Sequence, residues 1–321
     1  MNKNDKIYVA GHCGLVGSAL FRYLESDGFC NVVSRPHRDL DLTDAASVRE
    51  FFDLERPQHV FLAAARVGGI LANASYSAEF IRENLLIQTN VIHEAWRHGV
   101  ERLLFLGSSC IYPRDCPQPI REEYLMTGPL EWTNSAYAVA KIAGVEMCHA
   151  YNRQHRTRFL CVMPCNLYGP GDNFDLQNSH VLAALMRKFH EGRLFGSPVV
   201  LWGSGEPRRE FLHVDDMAEA CLHIMNLPDQ SLKNIFSEQT LPLINVGCGE
   251  DLSIKELAKM VAEIVGHKGE PQWDRSKPDG TPRKVLDISR LRSLGWEPGI
   301  GLREGISNMY EWFQESQSVK Q

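Results

Sequence analysis

Tyr137 and Lys141 are the residues whose types and spacing most directly predict chemistry. They lie four positions apart at the start of a long helical pattern, and on a helix such a pair shares one face. A phenol is a weak acid with an ordinary pKa of about 10, and a neighbouring ammonium favours its ionised form. We therefore expect Lys141 to lower the pKa of Tyr137, so that the pair exchanges a proton with an oxygen on a carbonyl or alcohol carbon. On its own, the spacing is more typical of a surface Tyr and Lys on an amphipathic helix, because such pairs are common by chance.

A second group of reactive side chains follows the apolar run Arg102–Leu106, which predicts a buried strand. Ser108, Ser109 and Cys110 stand at its end, and strand ends in a doubly wound sheet face the ligand crevice. A serine there can hydrogen-bond the same substrate oxygen as Tyr137. The alternative is that the serines only satisfy backbone groups in a turn.

Glycines at positions 11, 14 and 17 predict a dinucleotide site. They join the apolar run Lys6–Ala10 to a helical pattern that ends near Gly28. Glycines at such a turn let the backbone approach a pyrophosphate, whose charge sits at the helix N-terminus. We therefore expect the whole turn to contact a cofactor: Gly11, His12, Cys13, Gly14, Leu15, Val16 and Gly17.

The segment after the second strand, Asn31–Ser34, favours one cofactor. A site for NAD usually carries an acid here, but this chain has Arg35, His37 and Arg38. Two guanidinium groups and an imidazole suit a 2′-phosphate, so NADP is favoured over NAD. A solvated basic turn has the same composition. Asp41, in the loop before the next helix, completes the contacts expected in this region.

Strand and helix patterns alternate up to residue 170, which predicts an α/β fold with a doubly wound, Rossmann-like parallel sheet. The pattern changes after Gly171, which indicates a second, smaller α/β domain for the substrate. We expect the NADP-binding domain to comprise 1–170 and about 211–243. The substrate domain then comprises 171–210 and about 244–321.

The region around Trp202 and Arg209 concentrates aromatic and basic residues in a chain whose net charge is −6. Arginine suits a phosphate and tryptophan a flat base, so a nucleotide-bearing substrate is expected. A solvated basic loop is the alternative.

The overall composition argues against several classes of function. The chain has 321 residues, 44% of them hydrophobic, and it has no long basic run, which disfavours nucleic-acid and anionic-membrane binding. No apolar run approaches about 18 residues, and the N-terminus is polar, so a cytoplasmic protein without a secretion signal is expected. Nine cysteines without CxxC spacing indicate reduced thiols and no metal site.

Two long helical patterns, near 76–98 and 135–154, carry wide apolar faces. They are candidates for a homodimer interface. Packing within one subunit explains the same pattern.

Together these residues resemble an extended short-chain dehydrogenase/reductase, through the GxxGxxG turn, Ser108, and the Tyr137 and Lys141 pair. A closer similarity, to the GDP-L-fucose synthase family, spans essentially the whole chain. It rests on five segments: Gly107–Pro113, Asn178–His180, Trp202–Gly205, Arg209–Asp216 and Ser276–Lys284.

The resemblance implies a bifunctional enzyme. Such an enzyme epimerises GDP-4-keto-6-deoxy-D-mannose at C3 and C5 and reduces the C4 ketone with NADPH, giving GDP-L-fucose. A 4-keto group acidifies the hydrogens on both flanking carbons, so one base and one acid suffice for inversion through an enolate.

The resemblance also implies roles for individual residues. Cys110 and His180 match the family's acid/base pair, with a thiolate whose pKa is lowered by its neighbours. Ser108 and Tyr137 polarise the ketone, and Lys141 holds the nicotinamide ribose. Without the resemblance, Cys110 reads as a buried thiol and His180 as a helix cap.

Binding residues follow in the same way. Expected substrate contacts are Lys188, Trp202, Arg209 and Asp279. Further expected cofactor contacts are Leu106, Gly107, Ser108, Ser109, Lys141, Pro164, Cys165, Asn166, Leu167 and His180. The chain departs from some family members at Cys13 and His37, where they carry arginine, and Lys188 also stands where arginine is familiar.

Two other functions fit part of this pattern. Another sugar-nucleotide enzyme of the same fold, a 4-epimerase or a 4,6-dehydratase, is the nearer one, although a dehydratase is expected to carry acidic groups where this chain has Cys110. A non-catalytic NADP-sensing protein is the more distant one, and it has no need of Tyr137 or Lys141.

Overall fold

The computed structural model describes residues 1–176, 179–277 and 279–318. The strands, in chain order, are β1 (Ile7–Ala10), β2 (Val32–Val33), β3 (His59–Leu62), β4 (Arg102–Leu106), β5 (Phe159–Pro164), β6 (Asn166–Tyr168), β7 (Val200–Trp202), β8 (Arg208–Arg209), β9 (Phe211–His213), β10 (Leu243–Val246), β11 (Leu252–Ser253), β12 (Gln272–Asp274) and β13 (Arg283–Lys284). The α-helices are α1 (Leu15–Ser26), α2 (Ala45–Glu55), α3 (Ile70–Ser75), α4 (Ser77–Arg97), α5 (Ser135–His155), α6 (Val181–Phe195), α7 (Val214–Asn226), α8 (Ile254–Val265), α9 (Ser289–Ser293) and α10 (Leu302–Ser318).

The main sheet has six parallel strands in the order β2-β1-β3-β4-β5-β10. All four residues of β1 are buried, as expected for a strand that is covered on both faces. The strand order reverses at β1, because β2 and β3 lie on its opposite sides. The predicted doubly wound fold is therefore confirmed, and the crevice at this reversal is where such sheets bind ligands.

Helices cover this sheet. α1 packs against α7, and α4 packs against both α2 and α5. The carboxylate of Asp44 accepts hydrogen bonds from the backbone N–H groups of Ala46 and Ser47, so α2 begins with a side-chain cap. α5 starts at Ser135, which places Tyr137 and Lys141 in its first two turns.

A second, smaller hydrophobic core lies among α6, α8 and α10, with Phe189, Leu257 and Met309 as buried members. Two small sheets belong to this part of the chain, one in the order β11-β8-β13 and one pairing β12 with β7. α8 begins with a capping box, in which Ser253 and Glu256 bond each other's backbone N–H groups.

The boundary expected near residue 243 needs correction. β10 pairs with β5 in the main sheet. All four of its residues are buried; three are apolar, and the fourth, Asn245, is hydrogen-bonded. The main core also takes in Leu286, Ile288 and Trp296, which were expected in the substrate domain. Asn178 and Pro278, in two segments that carry the family resemblance, lie outside the described residues.

In the described ranges, no helix is long and apolar enough to cross a membrane. The same ranges contain no cluster of three or more His, Cys, Asp or Glu residues arranged to hold a metal ion.

Candidate active site

The glycine turn between β1 and α1 is built so that only glycine fits at its crossing points. Gly11 has a φ of 91°, and a Cβ on Gly17 would lie 2.0 Å from the Gly11 carbonyl oxygen. Gly14 precedes α1 without a side-chain cap, and the first turn of the helix carries no acidic residue. The first backbone N–H groups of α1 therefore have no acceptor within the helix, which is the arrangement that binds a pyrophosphate.

His12 and Cys13 lie in the same turn. The Sγ atom of Cys13 is 3.4 Å from Nε2 of His12. The buried Nδ1 atom of His12 has no hydrogen-bond partner among the described residues. The turn thus offers a polar ring atom as well as backbone donors to a bound dinucleotide.

The three basic residues after β2 differ in how closely neighbouring carboxylates hold them. Arg35 donates to the Glu55 carboxylate at 2.6 Å and to the Ser34 carbonyl at 2.8 Å. His37 lies 3.9 Å from Asp41, whose carboxylate accepts hydrogen bonds from Thr43 that lower its pKa. The side chain of Arg38 is 85% exposed, with only an Nε contact of 3.5 Å to Asp39. Arg38 is therefore the cation least committed to neighbouring carboxylates.

Lys141 anchors the reactive cluster. Its ammonium is buried and donates a hydrogen bond to the Leu106 carbonyl oxygen at 2.7 Å. The same Nζ atom lies 5.8 Å from the centre of the Tyr137 ring. α5 is thereby fixed to the end of β4, which Gly107 and Ser108 directly follow.

The prediction that Lys141 lowers the pKa of Tyr137 is wrong for the protein by itself. Burial raises the pKa of Tyr137, the charge of Cys110 raises it further, and only the hydrogen bond with Ser108 opposes them. Burial lowers the pKa of Lys141 to about 8. The reason is that desolvation disfavours both charged forms, while the ammonium bonds a carbonyl instead of the phenol. Tyr137 consequently keeps its proton and is a proton donor.

Ser108 and Cys110 complete this cluster. Ser108 caps the short 3-10 turn Ser109–Ile111, and its Oγ accepts from the Cys110 N–H at 3.4 Å. Burial raises the pKa of the Cys110 thiol, against the opposing effects of Lys284, Ser108 and Lys141. The expected lowering of the thiol pKa is therefore wrong in the protein alone, because burial outweighs the nearby cations.

A cavity of about 50 Å³ adjoins this cluster. Its lining includes Cys110, Tyr112, Gln118, Asn134 and Lys284. The buried Oδ1 atom of Asn134 has no hydrogen-bond partner among the described residues. The cavity thus presents a thiol, an ammonium and an unpaired amide oxygen, which suits a polar ligand.

His180 immediately precedes α6 in an extended backbone conformation, and its side chain makes no capping hydrogen bond. His180 is exposed, but the protein that surrounds its imidazole lowers the pKa of the ring by desolvation. It is therefore neutral near pH 7 and able to accept a proton.

The expected nucleotide-binding residues fall into two places. Lys188 and Trp202 line a cavity of about 280 Å³, and the Lys188 Nζ is 5.8 Å from the Trp202 ring centre. Asp279 lies beside the following turn, where its carboxylate accepts from the backbone N–H and the hydroxyl of Ser204. Arg209 stands apart on β8, next to Lys284 on β13.

The expected nicotinamide segment joins β5 to β6. The backbone N–H of Cys165 donates to the Val246 carbonyl, and the side-chain amide of Asn166 donates to the Glu210 carbonyl at 2.7 Å. Pro164 and Leu167 flank these two residues on the two strands. The segment is thus held by hydrogen bonds on two sides, to Val246 of β10 in the main sheet and to Glu210 between β8 and β9.

Comparison with known proteins assigns this arrangement to a family. The model of the NAD dependent epimerase/dehydratase family matches residues 7–238, more than half of the chain. A protein from Arabidopsis thaliana named putative GDP-L-fucose synthase 2 is 56% identical, over 98% of this chain and 94% of its own. The chain belongs to this family, in its GDP-L-fucose synthase branch.

Two other members of this branch agree. The GDP-L-fucose synthase of Escherichia coli (strain K12) is 51% identical, over 98% of both chains. The structure of a GDP-L-fucose synthetase from Naegleria fowleri bound to NADP has a TM-score of 0.87 at 27% identity, and covers 99% of this chain and 97% of its own. The resemblance inferred from the sequence motifs is thereby confirmed.

Sequence reasoning did not single out Lys284 as functional, although this side chain lies near the reactive cluster. It shares the cavity with Cys110, and each charge affects the pKa of the other. The sequence does carry a signal, because alternation along a strand separates Arg283 from Lys284 by face. A strand of two residues, however, does not indicate which other strand it pairs with.

The buried ammonium of Lys141 gives a pH-dependent prediction. The unfolded chain, with a lysine pKa of 10.5, binds more protons than the folded chain between about pH 8 and 10.5. Lys141 therefore adds stability as the pH rises through this window. The free energy of unfolding of wild type, minus that of Lys141→Met, should rise by about 3 kcal/mol between pH 7 and pH 10.5. Urea denaturation at several pH values, without cofactor, measures it, and a pH-independent difference would contradict the assignment.

Proposed function

We propose that this chain is a bifunctional GDP-L-fucose synthase. It epimerises GDP-4-keto-6-deoxy-D-mannose at C3 and C5 and then reduces the C4 ketone with NADPH. The observation that carries the proposal is the thiol of Cys110 beside the hydroxyls of Ser108 and Tyr137, at the end of β4. A simple ketone reductase needs a hydroxyl donor and a lysine, but it has no use for an acid/base thiol at the same carbonyl.

The described residues fit NADPH. The uncapped N-terminus of α1 and the Gly11–Gly17 turn would hold the pyrophosphate, Arg38 the 2′-phosphate, and Lys141 the nicotinamide ribose. When bound there, NADPH supplies the hydride for the C4 carbon.

Epimerisation begins from the acidity that the C4 ketone confers on its neighbours. Loss of the proton at C3 or C5 gives an enolate, whose oxygen the hydroxyls of Ser108 and Tyr137 stabilise as hydrogen-bond donors. Cys110 and His180 are assigned as the acid/base pair, a role that requires two groups on opposite faces of the sugar. In the free protein the thiol is protonated and the imidazole is neutral, so the pair holds one proton to give and one site to take a proton.

Reduction uses the same hydroxyls. The raised pKa of Tyr137 keeps the phenol protonated until the C4 oxygen becomes an alkoxide, a stronger base that takes this proton. Lys141, with a pKa of about 8, is mostly protonated at pH 7 and stabilises the tyrosinate that remains. One hydroxyl pair thus stabilises the enolate and completes the reduction.

The GDP part of the substrate is assigned to the second part of the chain. Lys188 and Trp202 offer an ammonium and an exposed indole face around one cavity. Arg209 carries the planar guanidinium that suits a diphosphate, and Asp279 fixes the turn at Ser204. A cytoplasmic location fits such a biosynthetic role.

Deuterium labelling tests this function directly. Incubation with GDP-4-keto-6-deoxy-D-mannose and NADPH in D2O should give GDP-L-fucose that carries deuterium at C3 and C5, read by NMR. Cys110→Ser should lower the exchange at least about a hundredfold while keeping some C4 reduction, because it removes the acid/base group. Tyr137→Phe should abolish reduction.

Cys116→Ser is the matched control, since Cys116 is a half-buried thiol outside the cluster. Exchange at the wild-type rate in Cys110→Ser would refute the acid/base assignment. Reduction without exchange in wild type would leave a plain reductase, and NADPH binding without turnover would leave a sensor.

The position of Arg38 predicts its part in cofactor choice. Arg38→Ala should raise the Kd of NADPH about tenfold, the worth of one charge-assisted hydrogen bond to phosphate, and leave the Kd of NADH unchanged. Arg35→Ala should change the NADPH Kd less, because Glu55 already occupies its guanidinium. Isothermal titration measures these constants, and equal losses for NADPH and NADH in Arg38→Ala would exclude a 2′-phosphate contact.

We also propose a homodimer formed through α4 and α5. Val139 on α5 is 44% exposed, and Trp96 of α4 stacks on His155 of α5 at 4.2 Å on the same pair of helices. Apolar and aromatic groups on neighbouring helices suit a four-helix interface. Sedimentation velocity should give about twice the chain mass of 36.3 kDa. A species of one chain mass at micromolar concentration would contradict the dimer.

A further inference from the structure

The small sheet of β11, β8 and β13 separates four cations onto two faces. β13 runs parallel to β8, with Arg283 opposite Arg208 and Lys284 opposite Arg209. Arg208 and Arg283 both bond the Asp251 carboxylate, and Arg208 also contacts the Glu256 carboxylate, so two carboxylates balance these two cations. Side chains alternate along a strand, so Arg209 and Lys284 share the other face. Lys284 lines the cavity together with Cys110, and Arg283, already paired with Asp251, reaches the edge of the same cavity.

Glu210, next along the chain from Arg209, is fully buried beneath this arrangement. Its Oε1 accepts a hydrogen bond from the Gly249 N–H at 2.6 Å, and its Oε2 accepts one from the Leu286 N–H at 2.8 Å. Its own carbonyl accepts from the Asn166 side chain. One carboxylate therefore ties the end of β10 to the segment that directly follows Lys284.

The fit around this carboxylate is tight. A Cβ on Gly247, the residue after β10, would lie 2.2 Å from Oε1 of Glu210. The backbone at Gly247 therefore approaches this carboxylate as closely as only glycine allows. Burial raises the pKa of Glu210 to about 7, although the Gly249 and Leu286 N–H groups oppose the shift. Buried charge is weak evidence of a purely stabilising role, because apolar packing usually serves stability as well. A role in fixing neighbouring groups accounts for its presence better.

We propose that Glu210 is a positioning residue for the acid/base step: it holds the Leu286 N–H, and through it β13, so that the Lys284 ammonium stands beside the Cys110 thiol. The inference rests on the proposed function. Coulombic stabilisation of a thiolate falls with distance, so a β13 strand that drifts from this place makes the Cys110 thiol a weaker acid and slows its proton donation.

The test variant is Glu210→Gln. The amide has the shape of the acid, but its NH2 group faces a backbone N–H donor, so one of the two contacts is lost. Exchange is scored alone by incubating GDP-4-keto-6-deoxy-D-mannose with NADP in D2O. The kcat for deuterium uptake at C3 and C5 should fall at least about tenfold, with KM changed less than about threefold, because Arg209 stays in place.

A double-mutant cycle separates positioning from a merely structural role. Lys284→Met should lower the exchange kcat at least as much as Glu210→Gln. If Glu210 acts through Lys284, the double variant should be no slower than Lys284→Met. Multiplied losses in the double variant would overturn the proposal.

Glu94→Gln is the control, because Glu94 is a buried carboxylate on α4 that bonds Arg49 and Arg97 instead. Its exchange rate should stay within about twofold of wild type, and thermal unfolding of every variant verifies folding. If Glu210→Gln does not fold, Glu210→Asp replaces it, since the shorter carboxylate reaches one N–H at most and should also lose exchange. Normal exchange in a folded Glu210 variant would refute the inference alone, whereas no exchange in wild type would refute the proposed function with it.

Discussion

The buried ammonium of Lys141 is the interaction on which the site depends. It is stabilised in this environment by the hydrogen bond that it donates to the carbonyl of Leu106, the last residue of β4. That bond joins α5 to the end of the strand, directly before the backbone turns at Gly107 and presents Ser108 and Cys110. Tyr137, one turn away on α5, is thereby held beside the same strand end.

Desolvation gives the site its electrostatic character. It keeps the phenol and the thiol protonated and the imidazole neutral, so the acid/base groups carry little charge before substrate arrives. The charges that remain near the cluster are cations, with Lys141 beside Tyr137 and with Arg209 and Lys284 together on the small sheet. In a chain of net charge −6, this concentration matches ligands that carry phosphates.

Local patterns in the sequence were sufficient for the fold and for much of the site. The strand before Gly11, the helix after Gly17 and the strand that ends at Leu106 are each marked by their own residues, and the helix spacing of Tyr137 and Lys141 needs no tertiary information. The pKa directions were beyond such patterns, because the balance between burial and nearby charge exists only in the folded chain. The same holds for Lys284 and Glu210, whose neighbours come from segments far apart in sequence. β10 was assigned to the wrong side of a boundary because its apolar run fits either core.

The chain passes repeatedly between the two hydrophobic cores. Residues 182–201 belong to the smaller core, 212–246 to the larger one, 257–265 to the smaller, 286–296 to the larger and 306–313 to the smaller. Neither half can therefore be excised as a continuous stretch, and a C-terminal truncation that starts between β5 and residue 286 removes material from both cores. A lesion in the segment 257–296 therefore disturbs the packing of both cores, the one under the nucleotide sheet included.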